Sequence, residues 1–168
     1  MSKQVCLCIA LALAGTGAYA ATSPDETFAK KAAQGGMAEV AVGQIASNQG
    51  NDPKVKEFGE KMVQDHQAAN DELKTAASKS NITLPSDVSK QQQSEADKLK
   101  NMKGAAFDHE YARMMVKDHE EDVALFQKEA DSGKDPNLKA YAQKTLPTLK
   151  EHLRMAKQMQ SGASGRAG

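Results

Sequence analysis

The sequence predicts an all-α fold, a four-helix bundle made of two helical hairpins. Three observations carry this expectation. Ala, Lys, Gln, Glu and Met dominate between the punctuation residues, tryptophan is absent and aromatics make up 4% of the chain, so strand signals are scarce. A shift of 83 residues superimposes one hairpin on another without a gap, placing Phe28 on Tyr111, Glu39 on Asp122 and Asp52-Pro53 on Asp135-Pro136. Apolar residues recur at spacings of three and four on both sides of each Asp-Pro pair.

Residues 1–20 read as a secretory leader. Lys3 gives a weakly positive start, Val5 to Ala14 is mostly apolar, and Ala18-Tyr19-Ala20 fits a small-x-small cleavage signal. The apolar stretch is shorter than the roughly 20 residues that span a bilayer, so the expected product is periplasmic or secreted, without a stable transmembrane anchor. Cys6 and Cys8 both fall in this segment, outside any lipoprotein box. The remaining chain has no thiol, which excludes disulfides, cysteine nucleophiles and thiolate metal sites.

Residues 21–168 suit a single domain, read as a bundle over 21–160 with a flexible tail at 161–168. Loss of Lys3 leaves 21 basic against 22 acidic residues, a formal charge of −1. The two signs are interspersed, and nothing in them forms a surface for nucleic acid or an anionic membrane. Composition identifies no protein partner and leaves homo-oligomer formation open.

The first helix opens on the capping box Ser23-Pro24-Asp25-Glu26 and runs to about Ser47, with the stripe Phe28, Ala32, Gly35, Glu39, Val42, Ala46. Asp52 caps the second, which starts at Pro53, fades near Ser80 and carries Val55, Phe58, Met62, His66, Ala69, Leu73 and Ala76. After Leu84-Pro85 the chain is mostly polar, with one short surface helix expected between Asp87 and Met102. Gly104 precedes the third long helix, striped by Tyr111, Met115, His119, Asp122 and Phe126. The last starts at Pro136 and shows Leu138, Tyr141, Thr145, Leu149, His152, Met155 or Ala156, and Met159, with Pro147 expected to kink it. A connector of about 20 residues between the hairpins implies one long crossover, as in ferritin-like bundles; an up-down-up-down path is the alternative. The offset preserves nine identities between residues 28–73 and 111–156, which favours a duplicated hairpin.

Glu39, His66, His119, Asp122 and His152 occupy stripe positions where a bundle buries apolar side chains. Each lies roughly 16 to 26 Å from its own hairpin loop at 1.5 Å per residue, near mid-helix, so the five can converge. A buried carboxylate costs several kcal/mol unless it is paired or metal-bound. The group therefore reads either as a transition-metal site or as internal hydrogen bonds that fix helix register. Carboxylates with imidazoles suit iron, manganese or zinc; methionine with histidine suits copper(I), and Met62, Met115 and Met155 lie three or four residues from a histidine. The plainer reading of those methionines is core filler. Asp65 and Asp118 each precede a histidine but point about 100° away from it, so each orients a histidine on another helix or forms a salt bridge. Gly36, the repeat counterpart of His119, suggests room left for an imidazole. His109 has no apolar stripe behind it and reads as surface.

The segments Gly35 to Val40, Asp52 to His66, Leu84-Pro85, Gly104 to Phe126 and Leu138 to Ala156 resemble the bacterial exported family known as domain of unknown function 4142. That resemblance implies a ferritin-like bundle and no established activity. A standard di-iron centre needs Glu-x-x-His pairs. Here Val63, Ala106, Val116 and Leu149 stand three residues before the four histidines. No nucleophile elbow, phosphate loop or paired catalytic acids appear, so no enzyme class is assigned. The functional expectation is an exported bundle that binds a transition metal in its core; the alternatives are a ferritin-like oxidoreductase and an envelope stress or interaction protein without metal.

Overall fold

Proline and aspartate set the boundaries of the helices. In the computed structural model, which describes residues 22–164, the elements are α1 (Pro24–Gln49), α2 (Pro53–Lys79), α3 (Lys90–Lys100), α4 (Gly104–Ser132) and α5 (Pro136–Ser164). No strand occurs among the described residues. Ser23 Oγ accepts from the Glu26 amide at 3.0 Å to start α1. Asp52 Oδ1 accepts from Lys54 at 2.9 Å and Asp135 Oδ1 from Asn137 at 2.9 Å, so α2 and α5 start alike. The expected leader lies outside the described residues. α5 continues through Ser164, and the Ser161 hydroxyl bonds back to the Gln158 carbonyl.

The 83-residue offset survives in three dimensions. Asp108 accepts from the amides of Asn51 and Asp52, both at 2.8 Å, and thereby secures the α1–α2 turn. Its counterpart Asp25 accepts from Lys134 at 2.7 Å and Asp135 at 3.4 Å in the α4–α5 turn. Each hairpin thus uses the start of its first helix to hold the other's loop. The ring pairs Phe28–Tyr141 and Tyr111–Phe58 follow the same relation, with centroids 6.3 and 6.2 Å apart.

These contacts fix the chain path. Phe28 meets Phe126 at 5.0 Å, placing the start of α1 against the end of α4, and Asn137 bonds Ser80 at 3.1 Å, placing the start of α5 against the end of α2. The bundle is therefore up-down-down-up with antiparallel neighbours, and the up-down-up-down path is excluded. The crossover carries α3, a fifth helix that packs against α1 and α4. It is shorter than the expected 87–102 because the Ser89–Gln92 capping box starts it late. Buried Leu99 anchors it, and Gln49 Nε2 donates to the Leu99 carbonyl at its end.

Two apolar clusters fill the bundle. One gathers Phe28, Leu73, Phe126, Leu138, Tyr141 and Leu149; the other gathers Val42, Phe58, Met62, Leu99, Tyr111 and Met115. Along every long helix a polar residue lies between them: Glu39, His66, His119 and His152. The fold thus holds a buried polar layer at mid-height.

Close approach of α1 and α2 rests on Gly43 and Gly59. A Cβ on Gly59 would stand 2.7 Å from both the Gly43 carbonyl and the Ser47 amide nitrogen, backbone atoms that cannot turn aside. Gly59→Ala is expected to destabilise the protein by about 1–3 kcal/mol despite the better helix propensity of alanine. Gly162→Ala, with no atom within 4 Å of its added Cβ, serves as the control. Thermal unfolding of the two variants checks this; equal melting temperatures would contradict the close packing.

Candidate functional site

The polar layer takes one residue from each long helix. Glu39 comes from α1, His66 from α2, His119 from α4 and His152 from α5. Glu39 and His66 are each 4% exposed, and His119 and His152 are fully buried. The imidazole centroids are 5.8 Å apart for His66–His119, 5.3 Å for His66–His152 and 5.4 Å for His119–His152. One ring nitrogen from each lies within 4.8 Å of the others.

Each ring is held on one side only. His119 Nδ1 stands 3.0 Å from the Met115 carbonyl, one turn earlier in α4. His152 Nε2 stands 2.8 Å from Asp65 Oδ2 across the α2–α5 contact, and His66 Nδ1 is 3.0 Å from Glu39 Oε2. A carbonyl or carboxylate oxygen only accepts, so these neighbours assign the proton of each neutral ring to the nitrogen that faces them. The remaining nitrogens, His66 Nε2, His119 Nε2 and His152 Nδ1, have no hydrogen-bond partner. Three buried lone pairs are left bare at the middle of the bundle.

Electrostatics keeps the rings neutral. Burial pushes His119 down to about 3, and His66 well below the ordinary histidine value, helped by the neighbouring imidazoles. His152 is lowered less, because burial is opposed by its bond to Asp65. Burial raises Asp65, but Lys61, at 2.9 Å, and His152 outweigh it and hold the carboxyl below its usual range.

The acids behave in the opposite way. Burial first, and then the Asp122 carboxyl, push Glu39 well above the ordinary glutamate value. Asp122, partly buried, is pushed up to about 7 by burial. Glu39 Oε1 has no hydrogen-bond partner, although the Asp122 carboxyl neighbours Glu39. The same oxygen is 3.5 Å from His119 Nε2.

Of the five expected site residues, the three histidines come together, Glu39 adjoins two of them, and Asp122 stands behind Glu39 outside the histidine cluster. Asp65 orients His152 on α5 and also pairs with Lys61, so it fills both of the roles its sequence position left open. The expectation for Gly36 is corrected: a Cβ there would overlap the Asn70 amide, so the glycine makes room for Asn70 and not for an imidazole. Gly36 is buried where the predicted stripe had Gly35, which is only partly buried. Met62 and Met115 are fully buried in an apolar cluster, as core filler would be. His109 is exposed. Asp108 escaped the sequence reading, although its 83-residue match to Asp25 could have found it.

A cavity of about 10 Å³ adjoins the layer on the side of Asn70, Phe126 and Leu149; it touches Glu39, His66 and Asp122 but neither His119 nor His152.

A family model described as domain of unknown function DUF4142 matches residues 10–159. The chain belongs to this family. Among solved structures, this DUF4142 chain is similar to a crystal structure of a DUF305 fragment from Deinococcus radiodurans, at 12% identity and a TM-score of 0.72, covering 84% of this chain and 97% of that one. At that identity the likeness concerns the fold alone. No curated protein matches the chain.

The neutral rings predict a pH dependence in metal-free protein. With His119 near 3 when folded and about 6.5 when unfolded, its contribution to stability is present above about pH 6.5 and lost as the pH falls toward 3. The raised acids titrate with the opposite sign, but they do so equally in a variant lacking the ring. The deficit in melting temperature of His119→Gln relative to the unmodified protein should therefore shrink between about pH 7.5 and pH 4.5. A deficit independent of pH would contradict a buried neutral His119.

Proposed function

We propose that this DUF4142 protein is an exported metal-binding bundle that holds one divalent first-row transition ion on His66, His119 and His152. The supporting observation is the set of three bare ring nitrogens, each on a ring anchored through its other nitrogen. Metal-bound histidines are held in this way, their second nitrogen fixed by a carboxylate or carbonyl. A buried lone pair without a partner is costly, and an ion supplies the partner to all three.

The ligand set narrows the ion. Neutral imidazoles suit zinc, copper, nickel and iron, whereas manganese prefers carboxylates and water. Glu39, close to His119 through its free oxygen, is the fourth ligand or the carboxylate that balances the charge. Asp65 positions His152, and Asp122 supports Glu39. The three rings are buried, His119 and His152 fully, which favours binding, buffering or transfer of metal over catalysis on a larger molecule. Without Glu-x-x-His pairs, a carboxylate-bridged oxidoreductase centre has less support. The leader-like residues 1–20 support a location in the periplasm or outside the cell.

Untagged protein stripped with a chelator and titrated with zinc(II), copper(II), cobalt(II) and nickel(II) should melt at a temperature that rises with ion concentration, by about 2.7 kcal/mol of stabilisation at a hundred times Kd. His66→Ala, His119→Ala and His152→Ala should each abolish the rise. Asp65→Asn should weaken binding by about 10–100-fold through His152. Absence of any ion-dependent shift would make the polar layer a purely structural network.

A further inference from the structure

Beneath α3, on the α1–α4 face, lies a cleft of about 200 Å³. Five acids line it, Glu39, Glu95, Asp118, Glu121 and Asp122, against one cation, Lys117. Lys117 sits on the exposed side, 3.3 Å from Glu121 and 3.6 Å from Asp118. At the inner end is Glu39, 4% exposed, with an oxygen that has no donor and is 3.5 Å from the bare Nε2 of His119. Acidic oxygens thus lead from solvent to the first histidine.

The opposite face is built differently. Between α2 and α5, Asp65 Oδ2 meets His152 at 2.8 Å, and the Lys61 ammonium stands 2.9 Å from the same oxygen. A positive charge there repels an approaching cation, while a low-dielectric cleft lined by one sign of charge concentrates the opposite ion. Size points the same way. A cleft of about 200 Å³ holds several waters, enough for a hydrated ion; the three buried ring nitrogens, within 4.8 Å of one another, stand too close together for one. Water must be shed where Glu39 can replace it with a carboxylate oxygen.

We propose that the acid-lined cleft under α3 is an outer cation site, which takes a hydrated divalent ion from solvent and passes it through Glu39 to the three histidines. This inference rests on the three-histidine reading. It assigns Glu95, Asp118 and Glu121 to capture, and makes α3 a wall of the uptake route.

The test is stopped-flow binding of cobalt(II), followed by its ligand-field absorption, to untagged protein at low salt. The triple variant Glu95→Gln, Asp118→Asn, Glu121→Gln should bind at least about tenfold more slowly, with a flatter dependence on salt and an equilibrium affinity within about threefold, because the histidines are intact. A control with the same charge change on exposed α2 positions, Glu57→Gln, Glu60→Gln, Asp71→Asn, should bind at the unmodified rate. Equal rates in the two triple variants would overturn the route, as would faster uptake in Lys61→Gln, which would place access at Asp65. If the unmodified protein gives no cobalt signal, the three-histidine reading fails and this inference with it.

Discussion

Placing imidazoles and a carboxyl in the centre of an apolar bundle constrains everything around them. Water cannot solvate the layer, so each polar atom needs a neighbour brought by another helix. Glu39 on α1 serves His66 on α2 and approaches His119 on α4; Asp65 on α2 serves His152 on α5. Those pairings require all four long helices to keep their axial register to within a hydrogen-bond length. The capped turns, the Asp25 and Asp108 latches at opposite ends and the glycine contact between α1 and α2 supply that register. An apolar cluster on each side of the layer supplies the packing that holds it.

The 83-residue relation holds for the frame and not for the site. Latches, N-caps and aromatic pairs obey the 83-residue relation. The histidines break it: the counterparts of His66, His119 and His152 are Leu149, Gly36 and Ala69. Leu149 and the Asn70 amide fill the equivalent volume, so one pseudo-symmetric half of the layer is closed and the other carries bare nitrogens. Glu39 and Asp122 are the two site residues that the repeat relates, and they meet each other. A symmetric scaffold thus carries a single off-centre cluster, open toward the α1–α4 face through its acids.

Much of the fold was legible because its signals are local. The Asp-Pro starts of α2 and α5, the Ser23 cap and stripes such as Phe58-Met62-His66 need only neighbouring residues, and they gave the helices and the inward direction of Glu39, His66, His119 and His152. Spacing along a helix also gave their common height. It could not give azimuth across the bundle, and that separates Asp122 from the histidines although its stripe position is equally good. Nor could it separate Gly35 from Gly36, where one residue turns a side chain by 100°.

What the sequence by itself determined is an all-α chain of two related hairpins with ionisable residues at mid-helix, because caps and periodicity are encoded within a few residues. The tertiary structure alone decided the up-down-down-up path, the pairing of Asp65 with His152, the sharing of Glu39 between His66, His119 and Asp122, and the acid-lined cleft beneath α3. Each depends on which helix faces which across a distance of a few ångströms. That relation is set by packing of the whole chain, and no local pattern records it.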